Sequence, residues 1–306
     1  MSPPPRTPPR NPCKPRNEFA LADLCFAISL FSLRFRPFPI SLSPFPLKLP
    51  PFHWWRTVFY LIPAVTLYTI VLGTASLLST VFDRGGNFGH RCARAWAWLI
   101  LKTTGVRVRV SGLEHVNPSC SYVVAANHQS IYDIPIVFTS LPLQLRIVAK
   151  DSLRRIPFLG WHLQRTGHLL VDRTNPGAGI LKRMAQLVHG ARSLIVFPEG
   201  TRSADGRVGR FKGGIFLLAI DSTLPVLPVS IARSRFVMMK GRLMVCPAEV
   251  TLTVHEPITT TGIAREQARE LAERVRDVVR RGLVPGNEDV IGNEDVVGNK
   301  DEPQRT

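Results

Sequence analysis

A chain of 306 residues, 45% of them hydrophobic, is long enough to bury a substantial core and allows one large domain or two small ones. Its five cysteines show no Cys-x-x-Cys spacing, which argues against a disulfide or zinc framework and indicates a reducing compartment. The net charge of +17 attracts anions such as nucleic acid, anionic lipid or phosphorylated substrates. Because the basic residues are scattered and form no zinc-finger, RNA-recognition or basic-zipper pattern, we expect no nucleic-acid partner.

The first 51 residues are a basic extension that holds half of the chain's 26 prolines. Met1–Arg16 has the composition of a disordered segment. Phe19–Phe35 is apolar, but Asp23 and Arg34 interrupt it and it has no small-residue cleavage site, so a signal peptide is not predicted. We expect residues 1–51 to be disordered.

Residues 52–104 are predicted to form membrane-anchoring helices. Val58–Thr80 has no charged residue and, at about 1.5 Å per residue, is long enough to cross a hydrocarbon core of about 30 Å. His53–Arg56 precedes it like an interfacial belt, and we expect Pro63 or Gly73 to bend it. Phe88–Thr103 is a shorter amphipathic helix. The alternatives are a spanning helix followed by an interfacial one, or a helical hairpin that enters one leaflet.

From residue 105 to residue 284 the pattern alternates between strands and helices. The predicted strands are Val106–Val110, Tyr122–Ala126, Leu145–Ala149, His168–Val171, Leu194–Phe197, Val226–Ile231 and Val250–Val254. The predicted helical segments are Ile131–Thr139, Lys150–Gln164, Ala178–His189, Gly214–Ile220 and Ile263–Leu283. This alternation predicts an α/β fold, a largely parallel mixed sheet flanked by helices, after an N-terminal membrane-associated helical segment. The acidic tail, residues 285–306, repeats Gly-Asn-Glu-Asp-Val and is predicted to be disordered.

A histidine and an aspartate stand five residues apart after the second predicted strand, where Asn127–Asp133 reads Asn-His-Gln-Ser-Ile-Tyr-Asp. His128 and Asp133 have the chemistry of a base and its orienting partner. Five helical steps of about 100° would put the two side chains on different helix faces, so His128 must lie in the turn before the helix and Asp133 in its first turn. The competing interpretation is a capping box, with Ser130 as N-cap and Asp133 at N3.

Phe197–Arg202 reads Phe-Pro-Glu-Gly-Thr-Arg and ends another apolar strand. Pro198 stops the strand and Gly200 permits a tight turn. The turn then presents three polar side chains at the carboxyl end of the strand: Glu199, Thr201 and Arg202. Ligands bind at this edge of open α/β sheets, and an arginine fork suits a phosphate. A plain turn explains the proline and glycine well, and the glutamate and arginine less well.

Two further basic residues are candidates for binding an anion. Arg173 follows a strand in Val-Asp-Arg, where the alternative is a surface pair with Asp172 that contributes little stability. Lys212 precedes Gly213 and Gly214 at the start of a helix, whose free N–H groups suit an anion. A glycine-rich helix start is common, so this second pattern is weakly specific.

Four blocks in this order resemble those of the glycerolipid acyltransferase family. They are His-x4-Asp, the Val-Asp-Arg at Arg173, Phe-Pro-Glu-Gly-Thr-Arg, and Val-Leu-Pro-Val at Val226–Val229. The resemblance is to bacterial 1-acyl-sn-glycerol-3-phosphate (lysophosphatidate) acyltransferases in particular, and it runs from about Trp96 to Pro257. The histidine–aspartate pair alone is a weak motif, but its combination with the Phe-Pro-Glu-Gly-Thr-Arg block is specific.

The resemblance implies His128 as catalytic base and Asp133 as its orienting partner. It also implies a substrate-binding set, to which we add Thr201 and Lys212: Arg173, Glu199, Gly200, Thr201, Arg202 and Lys212. The implied reaction is acyl transfer from acyl-CoA or acyl-carrier protein to a lysophosphatidate hydroxyl, with no metal or other cofactor. A variant with an acyl-enzyme on Ser130 ranks below direct attack.

The expected location is a bacterial inner membrane, with the active domain on the cytoplasmic side and anionic lipid as a further partner. Two alternatives stay open at this point. One is an acyltransferase for another lysolipid acceptor, and the other is a non-catalytic membrane protein that binds anionic lipid.

Overall fold

A computed structural model describes residues 52–83, 85–171 and 192–283 of the chain. The extension over residues 1–51, the tail over residues 285–306, the predicted helix Ala178–His189 and Arg173 lie outside the described residues. The predicted domain limits stay predictions.

Among the described residues, seven strands form one sheet: β1 (Arg107–Ser111), β2 (Val123–Ala126), β3 (Gln144–Lys150), β4 (Leu169–Val171), β5 (Arg192–Val196), β6 (Val226–Ala232) and β7 (Glu249–Val254). Their order is β1-β7-β6-β2-β5-β3-β4, and every neighbouring pair is parallel except the antiparallel pair β6 and β7. The predicted largely parallel mixed sheet is confirmed. Because β2 and β5 are parallel neighbours, the two predicted site turns leave the same edge of the sheet.

Helices cover both faces of this sheet: α1 (Phe52–Arg56), α2 (Ile62–Ser79), α3 (Asn87–Thr104), α4 (Asp133–Ser140), α5 (Leu159–Arg165), α6 (Gly214–Asp221), α7 (Ser234–Val237) and α8 (Ala268–Gly282). Strand side chains alternate between faces, so Val123 and Val124 belong to different apolar clusters. Val124 packs with α3 and α4, whereas Val123 packs with α6 and α8. The strands that lead into the two predicted site turns are thus supported by an apolar core on each face of the sheet.

The N-terminal helical segment, Phe52–Ser79, is the one described helix that is long and apolar enough to cross a membrane. It stays continuous through Pro63, because a π-helical turn, Thr57–Leu61, precedes α2. Hydrogen bonds attach both of its ends to the α/β domain. Thr57 Oγ1 accepts the Val245 N–H at 3.0 Å, and Ser76 Oγ lies 2.7 Å from His162 Nδ1. The segment therefore lies along the domain, and the predicted bend at Pro63 does not interrupt it.

Three histidines lie near this segment: His162 in α5 and His168 at the start of β4 are buried, and His90 in α3 is half-buried. The ring centroids of His162 and His168 are 5.6 Å apart, and His168 Nδ1 accepts the Ile147 N–H at 3.0 Å. Burial, assisted by the charge of Arg146, lowers the pKa of His90 and of His162 to about 4. Burial also holds the pKa of His168 well below its usual value. All three side chains are therefore neutral at pH 7.

We expect the folded state to lose stability as the pH falls from 6.5 to about 4. In that window the histidines are protonated in the unfolded chain and neutral in the folded protein. The free energy of unfolding therefore falls by up to about 1.4 kcal/mol per pH unit per histidine. Urea denaturation in detergent at several pH values measures the slope. His162→Gln should flatten it, because the variant has no imidazole to protonate at this position. An unchanged slope in His162→Gln would contradict this assignment.

Candidate active site

His128 and Asp133 meet at the carboxyl end of β2. β2 ends at Ala126, His128 lies in the following turn, and α4 begins at Asp133. His128 Nδ1 and Asp133 Oδ2 are 2.7 Å apart. The carboxylate is fully buried, and His128 is 8% exposed, so one edge of the imidazole reaches solvent. The turn thus has the arrangement that the five-residue spacing predicts.

The same carboxylate oxygen also organises the turn. Asp133 Oδ2 accepts the N–H of Gln129 at 2.8 Å and that of Ser130 at 2.9 Å. The second bond is one half of a capping box. The other half, a bond from the Asp133 N–H to the Ser130 side chain, does not form, so this part of the capping-box interpretation is wrong. The Asp133 N–H binds the Ser130 carbonyl instead, and Ser130 Oγ donates to the Met238 carbonyl at 2.9 Å. One oxygen therefore serves both the turn and the imidazole.

The Phe-Pro-Glu-Gly-Thr-Arg turn supports His128 from the neighbouring strand. The Phe197 ring stacks on the imidazole, with centroids 4.1 Å apart and planes at 21°. Glu199 Oε1 accepts the His128 N–H at 2.8 Å, and its Oε2 accepts the Gly209 N–H at 2.9 Å. Burial raises the pKa of Glu199, and these two N–H groups oppose the shift because they favour the carboxylate. Both Glu199 oxygens therefore bind backbone, and they hold the catalytic turn in place.

Glu199→Gln should lower the free energy of unfolding by about 1–3 kcal/mol, because the new amide presents a donor to one of the two partly buried N–H groups that the carboxylate accepts. Urea denaturation measures the loss. Glu256→Gln, on an exposed glutamate, is the matched control and should change stability little. Equal stabilities of the two variants would show that the Glu199 bridge is not structural.

The remaining predicted residues gather beside this turn. Gly200 has φ +77°, and a Cβ built there would lie 3.0 Å from Lys212 Nζ. Lys212 therefore covers the turn, and it is exposed. Lys240 Nζ donates to Thr201 Oγ1 at 3.3 Å and to the Arg202 carbonyl at 3.0 Å. The structure thus brings Gly200, Thr201, Arg202 and Lys212 together.

Three supporting residues escaped the sequence analysis. Lys240 lies in no motif, and no sequence pattern connects it with Thr201. Phe197 was predicted only as the end of a strand, although an aromatic residue at that position is suited to cover an imidazole. Asn127 joins β2 to β6, because its Nδ2 donates to the Ile231 carbonyl at 2.9 Å and its Oδ1 accepts the Ile231 N–H at 2.8 Å. The available signal in the sequence was an amide side chain, Asn127, between an apolar strand and His128.

An apolar cavity of about 150 Å³ opens beside the same turn. Ile131 and Ile134, on either side of Asp133, form part of its wall. Its other walls come from α2, α3, β3 and α5, with Gly73, Ala93, Trp96, Ala149 and Leu163 among the lining residues. Empty space on this scale is uncommon in close-packed interiors, which hold few voids larger than a water molecule. The cavity is therefore a candidate site for an apolar ligand beside the turn that leads into α4.

Within the described residues, no group of three or more histidine, cysteine, aspartate or glutamate side chains is arranged to hold a metal ion. The expectation of a reaction without metal or other cofactor stays a prediction. It rests on the histidine–aspartate pair and on the leaving-group ability of a thiolate.

Residues 107–232 match the family model described as Acyltransferase. This range includes the buried histidine–aspartate pair and the basic turn at the carboxyl edge of the sheet. The chain is 31% identical over 202 residues to the 1-acyl-sn-glycerol-3-phosphate acyltransferase of Limnanthes alba, covering 65% of this chain and 70% of that one. It is 30% identical over 208 residues to the Saccharomyces cerevisiae enzyme of the same name, covering 66% and 68%.

The fold is also found in a solved structure. The crystal structure of the 1-acyl-sn-glycerophosphate (LPA) acyltransferase, PlsC, from Thermotoga maritima superposes with a TM-score of 0.67 at 29% identity. The match covers 75% of this chain and 94% of that one. The chain belongs to the glycerolipid acyltransferase family, as its motifs predicted, and it is an enzyme.

Proposed function

We propose that this enzyme transfers an acyl group from acyl-CoA or acyl-carrier protein to the free hydroxyl of lysophosphatidate, forming phosphatidate. The observation that carries the proposal is the 2.7 Å contact between His128 Nδ1 and Asp133 Oδ2, at the edge of the sheet where ligands bind. The names of the relatives support lysophosphatidate as acceptor.

The proposed chemistry is direct attack. Asp133 accepts a hydrogen bond from the Nδ1–H of His128, which leaves Nε2 unprotonated and able to take the proton of the acceptor hydroxyl. The hydroxyl oxygen forms a bond to the thioester carbonyl carbon, and the tetrahedral intermediate collapses as the carbon–sulfur bond breaks. The departing thiolate then takes the proton from Nε2. Asp133 stabilises the imidazolium that exists between these two steps.

An acyl-enzyme intermediate on Ser130 is disfavoured. The Ser130 side chain is fully buried, and its hydroxyl already donates to the Met238 carbonyl. A nucleophile has to reach the thioester and pass its proton to a base. This geometry supports the acceptor hydroxyl as the nucleophile.

The basic residues beside the turn are proposed to bind the acceptor phosphate. Arg202 and Lys212 supply positive charge at the edge of the sheet, and we assign the same role to Arg173. Lys240 fixes Thr201 and the Arg202 backbone. Gly200 keeps the turn open to Lys212, and Glu199 acts on the substrate indirectly, by positioning His128.

The apolar cavity is proposed to hold an acyl chain. Since Ile131 and Ile134 flank Asp133, a chain that enters the cavity leaves its carbonyl end or its glycerol end near His128. Burial of each methylene contributes about 0.8 kcal/mol, so an open cavity favours long chains.

Ala93→Phe, which puts a ring into the cavity, should reduce kcat/KM for long-chain substrates by about 10-fold or more, because several methylenes lose their site. Ala95→Phe, on the exposed side of the same helix, is the matched control. Rates with six-carbon and sixteen-carbon chains separate the two effects. A uniform loss at both lengths in Ala93→Phe would contradict the cavity assignment.

A membrane location suits this substrate, and we propose that Phe52–Ser79 enters the bilayer. Apolar side chains exposed along the segment include Phe52, Phe59, Leu67, Val71 and Leu78. Since the segment is bonded to the α/β domain at both ends, a hairpin that enters one leaflet fits better than a free spanning helix. The bacterial inner membrane, with the domain on its cytoplasmic side, remains the proposed location.

The acceptor and donor are tested with the purified full-length protein. Labelled acyl-CoA and acyl-carrier protein are each supplied with lysophosphatidate, lysophosphatidylcholine, lysophosphatidylglycerol and an amino-acid lysolipid. We expect transfer to lysophosphatidate to exceed the other rates by at least about 10-fold, because the basic turn binds a phosphate monoester. Preference for another acceptor would overturn the substrate, and absence of transfer by folded protein would overturn the function.

A further inference from the structure

A second pocket, of about 150 Å³, lies on the opposite edge of the sheet from His128. Arg192 is the first residue of β5, and Gly167 precedes β4, so the pocket is at the amino ends of these strands. The turn between α2 and α3 closes its other side. A liquid water molecule occupies about 30 Å³, so a tetrahedral oxyanion fits in this space.

Three arginines line this pocket: Arg146, Arg165 and Arg192. Arg146 is 2% exposed, and it donates from Nη1 to the Leu145 carbonyl at 3.0 Å and from Nη2 to the Gly85 carbonyl at 3.4 Å. Among the described residues, no carboxylate forms an ion pair with Arg146. A buried charge without an ion-pair partner is costly, and a bound anion would reduce that cost.

The arginines of this pocket are close enough for their charges to interact. Burial and the charge of Arg192 lower the pKa of Arg146 to about 10, so it stays charged at neutral pH. Asp83 is the one acidic residue in the described wall, and its Oδ2 already accepts the Phe88 N–H at 2.5 Å. Three positive charges against one negative charge leave the pocket attractive to an anion.

The backbone approaches the guanidinium closely at Gly86. This residue has φ +68°, and a Cβ built there would lie 2.9 Å from Arg146 Nη2. A side chain at this position would therefore displace the guanidinium. The backbone of the turn and the buried guanidinium thus form adjoining parts of one pocket wall.

Exposed apolar side chains lie in and beside the turn between α2 and α3, which closes one side of the pocket. Val81 is 81% exposed and Phe82 is 79% exposed, and Leu78 and Phe88 are also exposed. Side chains of this kind enter the acyl region of a bilayer while basic residues nearby stay at the level of the headgroups. The position of the arginines beside them suits a phosphate group at the membrane surface.

We propose that Arg146, Arg165 and Arg192 form a phosphate-binding site separate from the acyl-transfer site. The apolar turn favours a phospholipid headgroup as the source of the phosphate, and a soluble phosphate has the same chemistry. The site would hold the domain against anionic membranes in a fixed orientation.

The test compares two double variants of the full-length protein that remove equal charge. Arg165→Gln with Arg192→Gln alters the pocket, and Arg269→Gln with Arg274→Gln alters the exposed face of α8. Arg146 is left intact because it is buried. Sedimentation with phosphatidylcholine vesicles, with and without phosphatidylglycerol, measures lipid binding. The melting temperature in phosphate and in chloride at equal ionic strength measures binding of inorganic phosphate.

The pocket variant should lose about 10-fold more affinity for phosphatidylglycerol vesicles than the control variant, since only the pocket arginines lie beside the apolar turn that is proposed to enter the bilayer. Phosphate should raise the melting temperature of the wild type and not that of the pocket variant. A phosphate response that the pocket variant loses, with equal vesicle binding by the two variants, supports the site with a soluble source. Equal vesicle binding without any phosphate response overturns the proposal.

Discussion

His128→Ala should reduce kcat for acyl transfer by about 10²–10⁴-fold, which is the usual contribution of a positioned general base. The variant removes the imidazole and leaves the carboxylate of Asp133 without its Nδ1 partner. The hydroxyl of the acceptor would then attack without a base within reach. Initial rates with saturating acyl-CoA and lysophosphatidate measure the loss, and KM should change much less than kcat.

The matched control is His115→Ala, because His115 is a half-exposed histidine in the 3-10 turn after β1 and is not among the residues of the site. It should retain the wild-type rate. If wild type and His128→Ala show equal transfer rates with both proteins folded, His128 is not the base.

Asp133→Asn should reduce kcat by a similar factor of about 10²–10⁴ and should also destabilise the fold. A neutral amide does not stabilise the imidazolium, and its NH₂ group favours the wrong imidazole tautomer. The carboxylate oxygen now accepts His128 Nδ1 and the N–H groups of Gln129 and Ser130. Each hydrogen bond to a charged acceptor contributes about 1.5–3 kcal/mol to stability. We therefore expect a measurable fall in the free energy of unfolding together with the loss of rate.

Rates and urea denaturation together test this double effect. Asp151→Asn is the control, since Asp151 pairs at the surface with Arg154 at 3.0 Å, an interaction that contributes about 0–1 kcal/mol. A variant at Asp133 that loses stability but keeps the wild-type rate would show that the aspartate only caps the turn. That outcome would restore the capping-box interpretation.

Much of the fold was predictable because its strands are short apolar runs separated by turns. The strands around Val124, Ile195 and Leu227 are buried on both faces, and such runs are visible without tertiary information. The placement of His128 before α4 and of Asp133 within it followed from helix geometry alone. Local rules of this kind suffice where the interacting residues are close in sequence.

Contacts between distant residues were not predictable in the same way. Lys240 reaches Thr201 across 39 positions, and Ser130 donates to Met238 across 108. These contacts depend on how α7 and the following loop return to the site, and no periodic pattern encodes that path. Glu199 shows the same limit, because its motif predicted a substrate contact and only the fold revealed the bonds to backbone N–H groups.

The central claim is that the histidine–aspartate pair activates the acceptor for direct attack on a thioester. Purified full-length protein is mixed with labelled acyl-CoA and quenched, first without and then with lysophosphatidate. Direct attack predicts no labelled protein in the first reaction, and labelled phosphatidate equal to the released thiol in the second. Labelled protein that passes its acyl group to the acceptor, or no phosphatidate from folded enzyme, would contradict the claim.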